Sequence, residues 1–183
     1  MKTYSYISSN DFIDNLSFDF IETYSFQRGE EFETINKLER LEYESLKIRK
    51  EKLNNLTLIE DKTLYKLKGL LDFTQYIIND NGEFHPSSKK TNTFNIGNPI
   101  IDRLKEILKT EIIEIPMFMC SPKYRDAIVF YNSNLKIVLA LNICLNCQNM
   151  ETKMFHHING DYKTYELLKH FFIDIGHNVE ESN

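Results

Sequence analysis

Three cysteines stand close together in the sequence, and their thiols are the side chains best suited to chemistry in this chain. Cys120 precedes two apolar runs, while Cys144 and Cys147 form a C-x-x-C pair at the end of the second run. If a turn centred on Ser133 joins the runs as antiparallel strands, the numbers of paired residues sum to about 266. Cys120 then faces Asn146, so the pattern predicts that Cys120 lies close to Cys144 or Cys147.

Such a cluster could bind a structural metal ion. Zinc takes four ligands in tetrahedral sites, and three thiolates with one imidazole are a familiar set. The imidazole could come from His156, His157 or His177, all of which follow the C-x-x-C pair. The candidate zinc ligands are therefore Cys120, Cys144, Cys147 and His177.

Two other interpretations of the cysteines stay open. A redox pair favours a first cysteine at a helix N-terminus, where the helix dipole lowers the thiol pKa. Cys144 instead ends an apolar run that no strong helix follows. Free cysteine is also among the most often buried residue types, so simple core packing is the third interpretation. An odd number of cysteines in a reducing compartment does not predict a disulfide framework.

Signatures of known catalytic sites are missing from the sequence. It contains no P-loop, no G-x-G-x-x-G and no H-E-x-x-H motif. No hydroxyl, histidine and carboxylate can be nominated as a triad. We therefore predict no catalytic residues and no cofactor other than zinc at the cysteines. The alternative is a thiol-dependent enzyme that uses Cys144 or Cys147 as its nucleophile.

Composition and charge limit the classes of partner. Hydrophobic residues make up 42% and charged residues 27% of the chain, which are values of a globular protein. The formal net charge of -5 argues against a nucleic-acid partner, because phosphate neutralisation needs a basic face. The first residues lack the apolar core of a signal peptide, and no run approaches the roughly 18 apolar residues of a membrane span. We expect a cytoplasmic protein without a membrane partner.

Apolar spacing in the N-terminal half predicts two helices. Residues Arg28 to Asn55 carry one apolar stripe at three- and four-residue intervals. A second helical pattern follows Asp61, the expected N-cap, and extends to Ile77. The two should form an antiparallel helical hairpin. The stretch Asn79–Pro99 concentrates Gly, Pro, Asn and Ser, which predicts a long loop.

The C-terminal half predicts a sheet between helices. A short helix opens at Pro99, and an antiparallel hairpin spanning 126–144 pairs Ala127–Tyr131 with Lys136–Ile143. A last helix, Asp161–Ile175, ends at Gly176 and should cover one sheet face. The fold class is thus α+β, with a helical N-terminal half packed with an antiparallel sheet. We expect a single domain, 1–183, that the loop at 79–99 could subdivide into 1–80 and 100–183.

The cysteine region resembles a pattern found in uncharacterised small bacterial proteins. That pattern has the form C-x-P, an apolar strand ending in F-Y, a turn, and an apolar strand ending in I-C-x-x-C. Its positions in this sequence are Cys120, Pro122, Phe130, Tyr131, Ile143, Cys144 and Cys147. The resemblance implies kinship and no particular activity.

Surface recognition is the function that remains when no catalytic set is present. We expect a partner-binding protein, most concretely an immunity protein that neutralises a bacterial toxin. The expected contact surfaces are the long loop and the helix Glu30–Glu51, with Glu39, Glu42 and Glu44 steering a basic partner. The alternative is a zinc-stabilised structural domain.

Overall fold

Helices and strands are both present in the computed structural model, which describes residues 4–53, 55–117 and 120–179. The predicted α+β class is confirmed, because the described residues form five helices and one seven-stranded sheet. The chain divides into two compact units. The sheet unit comprises Met1–Phe26 and Tyr76–Asn183, and the helical unit comprises Gln27–Gln75.

The sheet is assembled from strands in both halves of the chain. The helices are α1 (Ser9–Asp14), α2 (Glu30–Leu53), α3 (Leu58–Asp72), α4 (Pro99–Leu108) and α5 (Tyr162–Asp174). The strands are β1 (Ser5–Ser8), β2 (Phe20–Ser25), β3 (Lys89–Asn95), β4 (Asp126–Tyr131), β5 (Ile137–Cys144), β6 (Asn149–Lys153) and β7 (His156–Asn159). Within the described ranges, no helix is both long enough and apolar enough to cross a bilayer.

The sheet has the strand order β1-β7-β6-β5-β4-β2-β3. Five of its neighbouring pairs are antiparallel, but β1 runs parallel to β7. The prediction of an antiparallel sheet is therefore wrong at this edge. Strands far apart in sequence can pair in either direction, and nothing local to Ser5–Ser8 encodes which one forms.

The predicted β4–β5 hairpin is confirmed, although its register differs. Asp126 pairs with Ile143 and Phe130 with Leu139, three residues further along β5 than a turn centred on Ser133 would give. The turn is longer and is organised by Asn132, whose side-chain oxygen accepts hydrogen bonds from the amides of residues 134 and 136. An irregularity between Phe130 and Tyr131 adds to the displacement.

The N-terminal half is not wholly helical, contrary to the prediction. β1 and β2 both come from the first 26 residues, and β2 lies between β3 and β4 inside the sheet. The expected long loop at 79–99 also contains β3, a polar edge strand. Its Lys, Thr and Asn side chains give a weak local strand signal, so pairing with β2 decides its conformation.

Two apolar cores form on the two faces of the sheet. Alternation along β4 sends Ile128 and Phe130 to the first core, and Ala127 and Val129 to the second. Helices α1, α4 and α5 contribute their buried residues to the first core, so α5 covers one sheet face as predicted. The second core is smaller and richer in tyrosine.

The end of α5 is set by a glycine. Gly176 has φ of 88°, and its N–H donates to the carbonyl oxygen of Ile173 while the N–H of His177 donates to that of Phe172. This is the Schellman arrangement, which needs a left-handed residue after the helix. Asp161 caps the other end together with Thr164, so both predicted boundaries are confirmed.

Replacing Gly176 by Ala is expected to lower the free energy of unfolding by about 1 kcal/mol, because a Cβ disfavours this positive φ. Gly69→Ala is the matched control, since Gly69 lies inside α3 with nothing within 4 Å of an added Cβ. There the free energy should rise by about 0.4 to 1 kcal/mol. Urea denaturation compares the two, and a loss at Gly69 equal to that at Gly176 would contradict this account.

The helical unit is the predicted antiparallel hairpin. Arg49 of α2 bonds Glu60 of α3 at 2.6 Å, and Tyr43, earlier in α2, bonds Asp72 at the end of α3 at 3.2 Å. Asp61 is not the N-cap, because a capping box of Thr57 and Glu60 starts α3 earlier. Hydrogen bonds from Arg49 and Thr57 lower the pKa of Glu60 to about 2.

Candidate functional site

The three cysteines meet at one end of the β4–β5 hairpin. A disulfide joins Cys120 to Cys147, with their Cα atoms 6.5 Å apart. The predicted closeness of Cys120 to the C-x-x-C pair is therefore confirmed. The sequence did not predict a disulfide framework, whereas the folded chain pairs these two cysteines across a sequence separation of 27 residues.

Cys144 is the free thiol beside this disulfide. It is buried at the end of β5, where the backbone N–H groups of Lys123, Asn146 and Cys147 hydrogen-bond its sulfur. Burial raises the pKa of the Cys144 thiol, and these hydrogen bonds only partly offset that effect. A buried thiol with a raised pKa carries little thiolate at neutral pH, so the folded chain offers no activated nucleophile at Cys144.

The predicted fourth zinc ligand, His177, lies apart from the cysteines. Its ring packs on Phe172 of the first core, with ring centroids 4.7 Å apart, whereas Cys144 and Cys147 belong to the second core. The structure thus brings together three members of the predicted set and separates the fourth. The described part of the chain contains no group of three His, Cys, Asp or Glu side chains that could hold a metal ion.

His177 belongs instead to a buried hydrogen-bonded chain. Its Nδ1 is 2.7 Å from Oδ1 of Asp126, and its Nε2 is 2.7 Å from the hydroxyl oxygen of Thr91. The Thr91 hydroxyl donates to the carbonyl oxygen of Thr23 at 2.9 Å. These hydrogen bonds therefore link His177, three residues beyond the end of α5, to strands β4, β3 and β2.

The backbone of β3 is irregular at Thr91, the residue whose hydroxyl contacts His177. Thr91 is an extra residue in the β3 ladder, since Thr23 pairs with Asn92 and Tyr24 with Lys90. Bulges of this kind redirect a side chain. The Asn92 amide also donates to the carbonyl oxygen of Ile175 at 2.8 Å, which ties the end of α5 to the same edge strand.

Asp126, His177 and Thr91 place a carboxyl group, an imidazole and a hydroxyl in the order of a catalytic triad. Here, however, the imidazole is buried inside the protein. The side chains of His177 and Asp126 are 0% and 2% exposed. A general base must come within hydrogen-bond reach of the proton that it abstracts from a substrate. The enclosed imidazole of His177 cannot contact a substrate in this conformation. Its hydrogen bonds to Asp126 and Thr91 instead attach the C-terminal end of α5 to the sheet.

A second polar cluster surrounds Glu151 on β6. Its buried carboxylate accepts a hydrogen bond from the Tyr76 hydroxyl and lies 2.9 Å from Nδ1 of His157. Burial and the hydrogen bond to Glu151 both raise the pKa of Tyr76, so its phenol stays protonated at neutral pH. The ring of Tyr6 stacks on His157 with centroids 4.9 Å apart. These contacts give the buried carboxyl group of Glu151 hydrogen-bond partners, which a buried polar group requires.

Sequence reasoning did not identify these two clusters. The available signal was a carboxylate beside strongly apolar residues: Asp126 precedes "AIVFY" and Glu151 follows Met150. Asp126 contacts His177, which is 51 residues away in sequence, and Glu151 contacts Tyr76, which is 75 residues away. No local pattern connects residues at such separations.

The predicted partner-binding glutamates lie on α2 of the helical unit. Glu42 and Glu44 are exposed and Glu39 is half-buried. The part of α2 from Glu30 to Glu44 contains six glutamates and two basic residues, Lys37 and Arg40. Large apolar side chains are exposed on α2 and α3. They are Ile35, Leu38, Leu41, Ile48, Leu53, Leu58, Ile59 and Tyr65.

No protein-family model, curated protein or solved structure matches this chain.

Proposed function

We propose that the chain is a partner-binding protein whose α2–α3 hairpin docks on another protein. One observation carries the proposal, namely the apolar side chains that this hairpin leaves in solvent. Eight of them are between 47% and 79% exposed, whereas Leu46 and Leu67 are the buried hydrophobic residues of the two helices. Exposed apolar side chains grouped on one pair of helices are typical of protein interaction sites.

Spacing arranges part of this surface as a stripe. Leu38, Leu41 and Ile48 recur at three- and seven-residue intervals along α2, so they lie along one side of the helix. Leu46, which is buried, falls on a different side of the helix. An amphipathic helix with a second apolar side is suited to a hydrophobic groove or a helix of a partner.

Charge around the stripe favours a basic partner. Glu39, Glu42 and Glu44 lie within three residues of Leu38 or Leu41, and so do Lys37 and Arg40. The six glutamates between Glu30 and Glu44 outnumber these two basic residues, so this part of α2 carries a net negative charge. Acidic side chains at the rim of an interface raise the association rate with a basic protein, while the apolar centre supplies most of the affinity. An immunity protein that neutralises a basic bacterial toxin is the most concrete form of this function.

The direct test compares capture by two triple variants. Wild-type protein, used as bait in an extract of its host, should retain one partner in stoichiometric amount. Replacing Leu38, Leu41 and Ile48 by Asp should abolish capture, because it places charges at the centre of the apolar contact. The matched control replaces the exposed Ile113, Met117 and Ile173 of the sheet unit by Asp and should leave capture unchanged. Capture that survives the hairpin variant, with circular dichroism unchanged, would remove the hairpin as the binding site.

With a purified partner, charge reversal tests whether the glutamates act on the association rate rather than on the dissociation rate. Changing Glu39, Glu42 and Glu44 to Lys should slow association by about tenfold at low salt and change dissociation less. Surface plasmon resonance at two salt concentrations measures both rates. The toxin-neutralising form predicts in addition that co-expression of wild-type protein restores growth to cells that produce the partner, and that the Asp variant of the hairpin does not.

A further inference from the structure

We propose that α2 pairs in antiparallel orientation with α2 of a second copy of this chain, so that the purified protein forms a two-fold symmetric dimer. The inference goes beyond the partner-binding function and does not rest on it, since it concerns the chain by itself. The contact runs along one stripe of α2 that contains Leu38, Leu41 and Ile48. The second copy would cover these side chains, which are 61%, 61% and 47% exposed in the single chain.

The spacing of the stripe is that of a coiled coil. Its members are exposed and follow one another at intervals of three, four and three residues, which is the spacing of the core positions of a heptad. They are Leu38, Leu41, Ser45 and Ile48. Tyr43 and Arg49, which bond to α3, and the buried Leu46 lie outside this series. The packing of α2 on α3 therefore leaves the stripe available to a second helix.

The stripe is complementary to its own reversed copy. About a two-fold axis every contact occurs twice, because residue i of one copy meets residue j of the other and j meets i. Paired residue numbers that sum to about 86 place Leu38 against Ile48 of the second copy, and Leu41 against Ser45 of the second copy. The first pairing joins two apolar side chains. The second sets a large side chain against a small one, which lets the two helices interdigitate.

The charge of α2 changes sign along the helix. From Glu30 to Glu44 six glutamates outnumber two basic residues, whereas the stretch from Ser45 to Leu53 carries four basic residues and one glutamate. Antiparallel pairing lays the acidic part of each copy along the basic part of the other. Parallel pairing would lay like charge on like charge. The charge pattern therefore favours a second copy in the antiparallel orientation.

Individual charges at the rim of the stripe give both attraction and repulsion. In the same register Lys37 lies beside Glu51 of the second copy, once on each side of the axis. Glu42 and Glu44 each approach the same residue of the second copy near the axis. Exposed charge pairs contribute little, so the apolar contacts supply most of the affinity. We therefore expect a dimer that dissociates on dilution and that tightens when Glu42 and Glu44 are neutralised.

Sedimentation equilibrium of the purified wild-type chain is the first experiment. At about 100 µM the protein should sediment with twice the mass of one chain, and dilution should return it to the monomer. Replacing Leu38 and Leu41 by Asp should weaken the dimer by at least about tenfold, because it places charges at the centre of the contact. The matched control replaces the exposed Ile113 and Ile173 of the sheet unit by Asp and should dimerise like wild type.

A variant that strengthens the dimer keeps the test independent of folding defects. Replacing both Glu42 and Glu44 by Gln should tighten the dimer by about threefold at low salt, because it removes the two repulsions near the axis. Loss of the fold cannot produce such a gain. Weaker dimerisation of this variant would contradict the antiparallel register.

Disulfide trapping tests the orientation of the two helices. Under a mild oxidant, Leu38→Cys chains mixed with Ile48→Cys chains should form a linked dimer, because the two positions face each other across the axis. Leu38→Cys chains alone should form little of it, since the two cysteines are then separated by about 15 Å along the helix. Wild-type chain, treated identically, is the control and should remain unlinked.

Three results would overturn the proposal. One is a monomeric mass of the wild-type chain at the highest concentration, and another is a dimer that the Leu38 and Leu41 variant leaves unchanged. The third is trapping of Leu38→Cys chains alone that equals trapping in the mixture, which indicates parallel helices. None of these measurements depends on capture of another protein from an extract, so failure of this inference is distinguishable from failure of the partner-binding function.

Discussion

Replacing His177 by Ala should lower the free energy of unfolding by about 3 to 5 kcal/mol, because it leaves a buried carboxyl group without its partner and removes a packed ring from the core. Asp126 is 2% exposed and lies 2.7 Å from the ring. The variant also takes away the 2.7 Å contact to Thr91 and the ring packing on Phe172. A loss of this size is a large share of the stability of an ordinary domain.

Two further variants make this expectation specific. His170→Ala changes the same residue type on the exposed surface of α5 and should alter the free energy of unfolding by less than about 0.5 kcal/mol. Asp126→Asn keeps an oxygen for the ring to donate to, so its loss should be smaller, about 1 to 3 kcal/mol. Urea denaturation monitored by tyrosine fluorescence measures all three. An effect of His177→Ala no larger than that of His170→Ala would show that the buried chain does not hold α5 to the sheet.

Replacing Phe130 by Ala is the second change with a large expected effect, about 3 to 5 kcal/mol of unfolding free energy. Phe130 is fully buried on β4, a strand with neighbours on both sides. Its ring meets those of Phe18 and Phe12 edge-on, with centroids 5.0 and 6.0 Å apart. The cavity left by the ring borders Phe12 of α1 and Phe18, which lies between α1 and β2, so the backbone around it would have to move to close it.

The control for this substitution is Phe73→Ala. Phe73 follows α3 and is more than half exposed, so its removal should change the free energy of unfolding by less than about 0.5 kcal/mol. Phe130→Leu, which keeps much of the apolar volume, should lose clearly less than Phe130→Ala. Equal losses for Leu and Ala at position 130 would mean that the phenyl packing contributes little.

Local patterns were sufficient for the elements that depend on local interactions. The helical hairpin, α4 after Asn98 and α5 between Asp161 and Gly176 all follow from apolar spacing and from capping residues. The β4–β5 hairpin was also predictable, since a short polar turn joins two apolar runs. Each of these interactions joins residues that are close in sequence.

The register of the β4–β5 hairpin and the bonding of the cysteines were only partly predictable. Strand pairing placed Cys120 near the C-x-x-C pair, as the disulfide confirms. The turn around Asn132 displaced the pairing by three residues from the expected register. Side-chain hydrogen bonds inside a turn set its length, and apolar patterning alone does not report them. Which two sulfurs are joined therefore depended on the folded geometry.

The sequence by itself determined the α+β class, the helical hairpin, the central β-hairpin and the meeting of the cysteines. Only the tertiary structure decided that β1 joins the sheet in parallel, that β3 forms within a polar stretch, and that His177 turns to Asp126 and Thr91 rather than to the cysteines. The physical reason is the distance along the chain between the partners. A helix or a tight hairpin is stabilised by neighbours in sequence, whereas an edge strand or a buried polar chain forms only when the remaining fold brings its partners together.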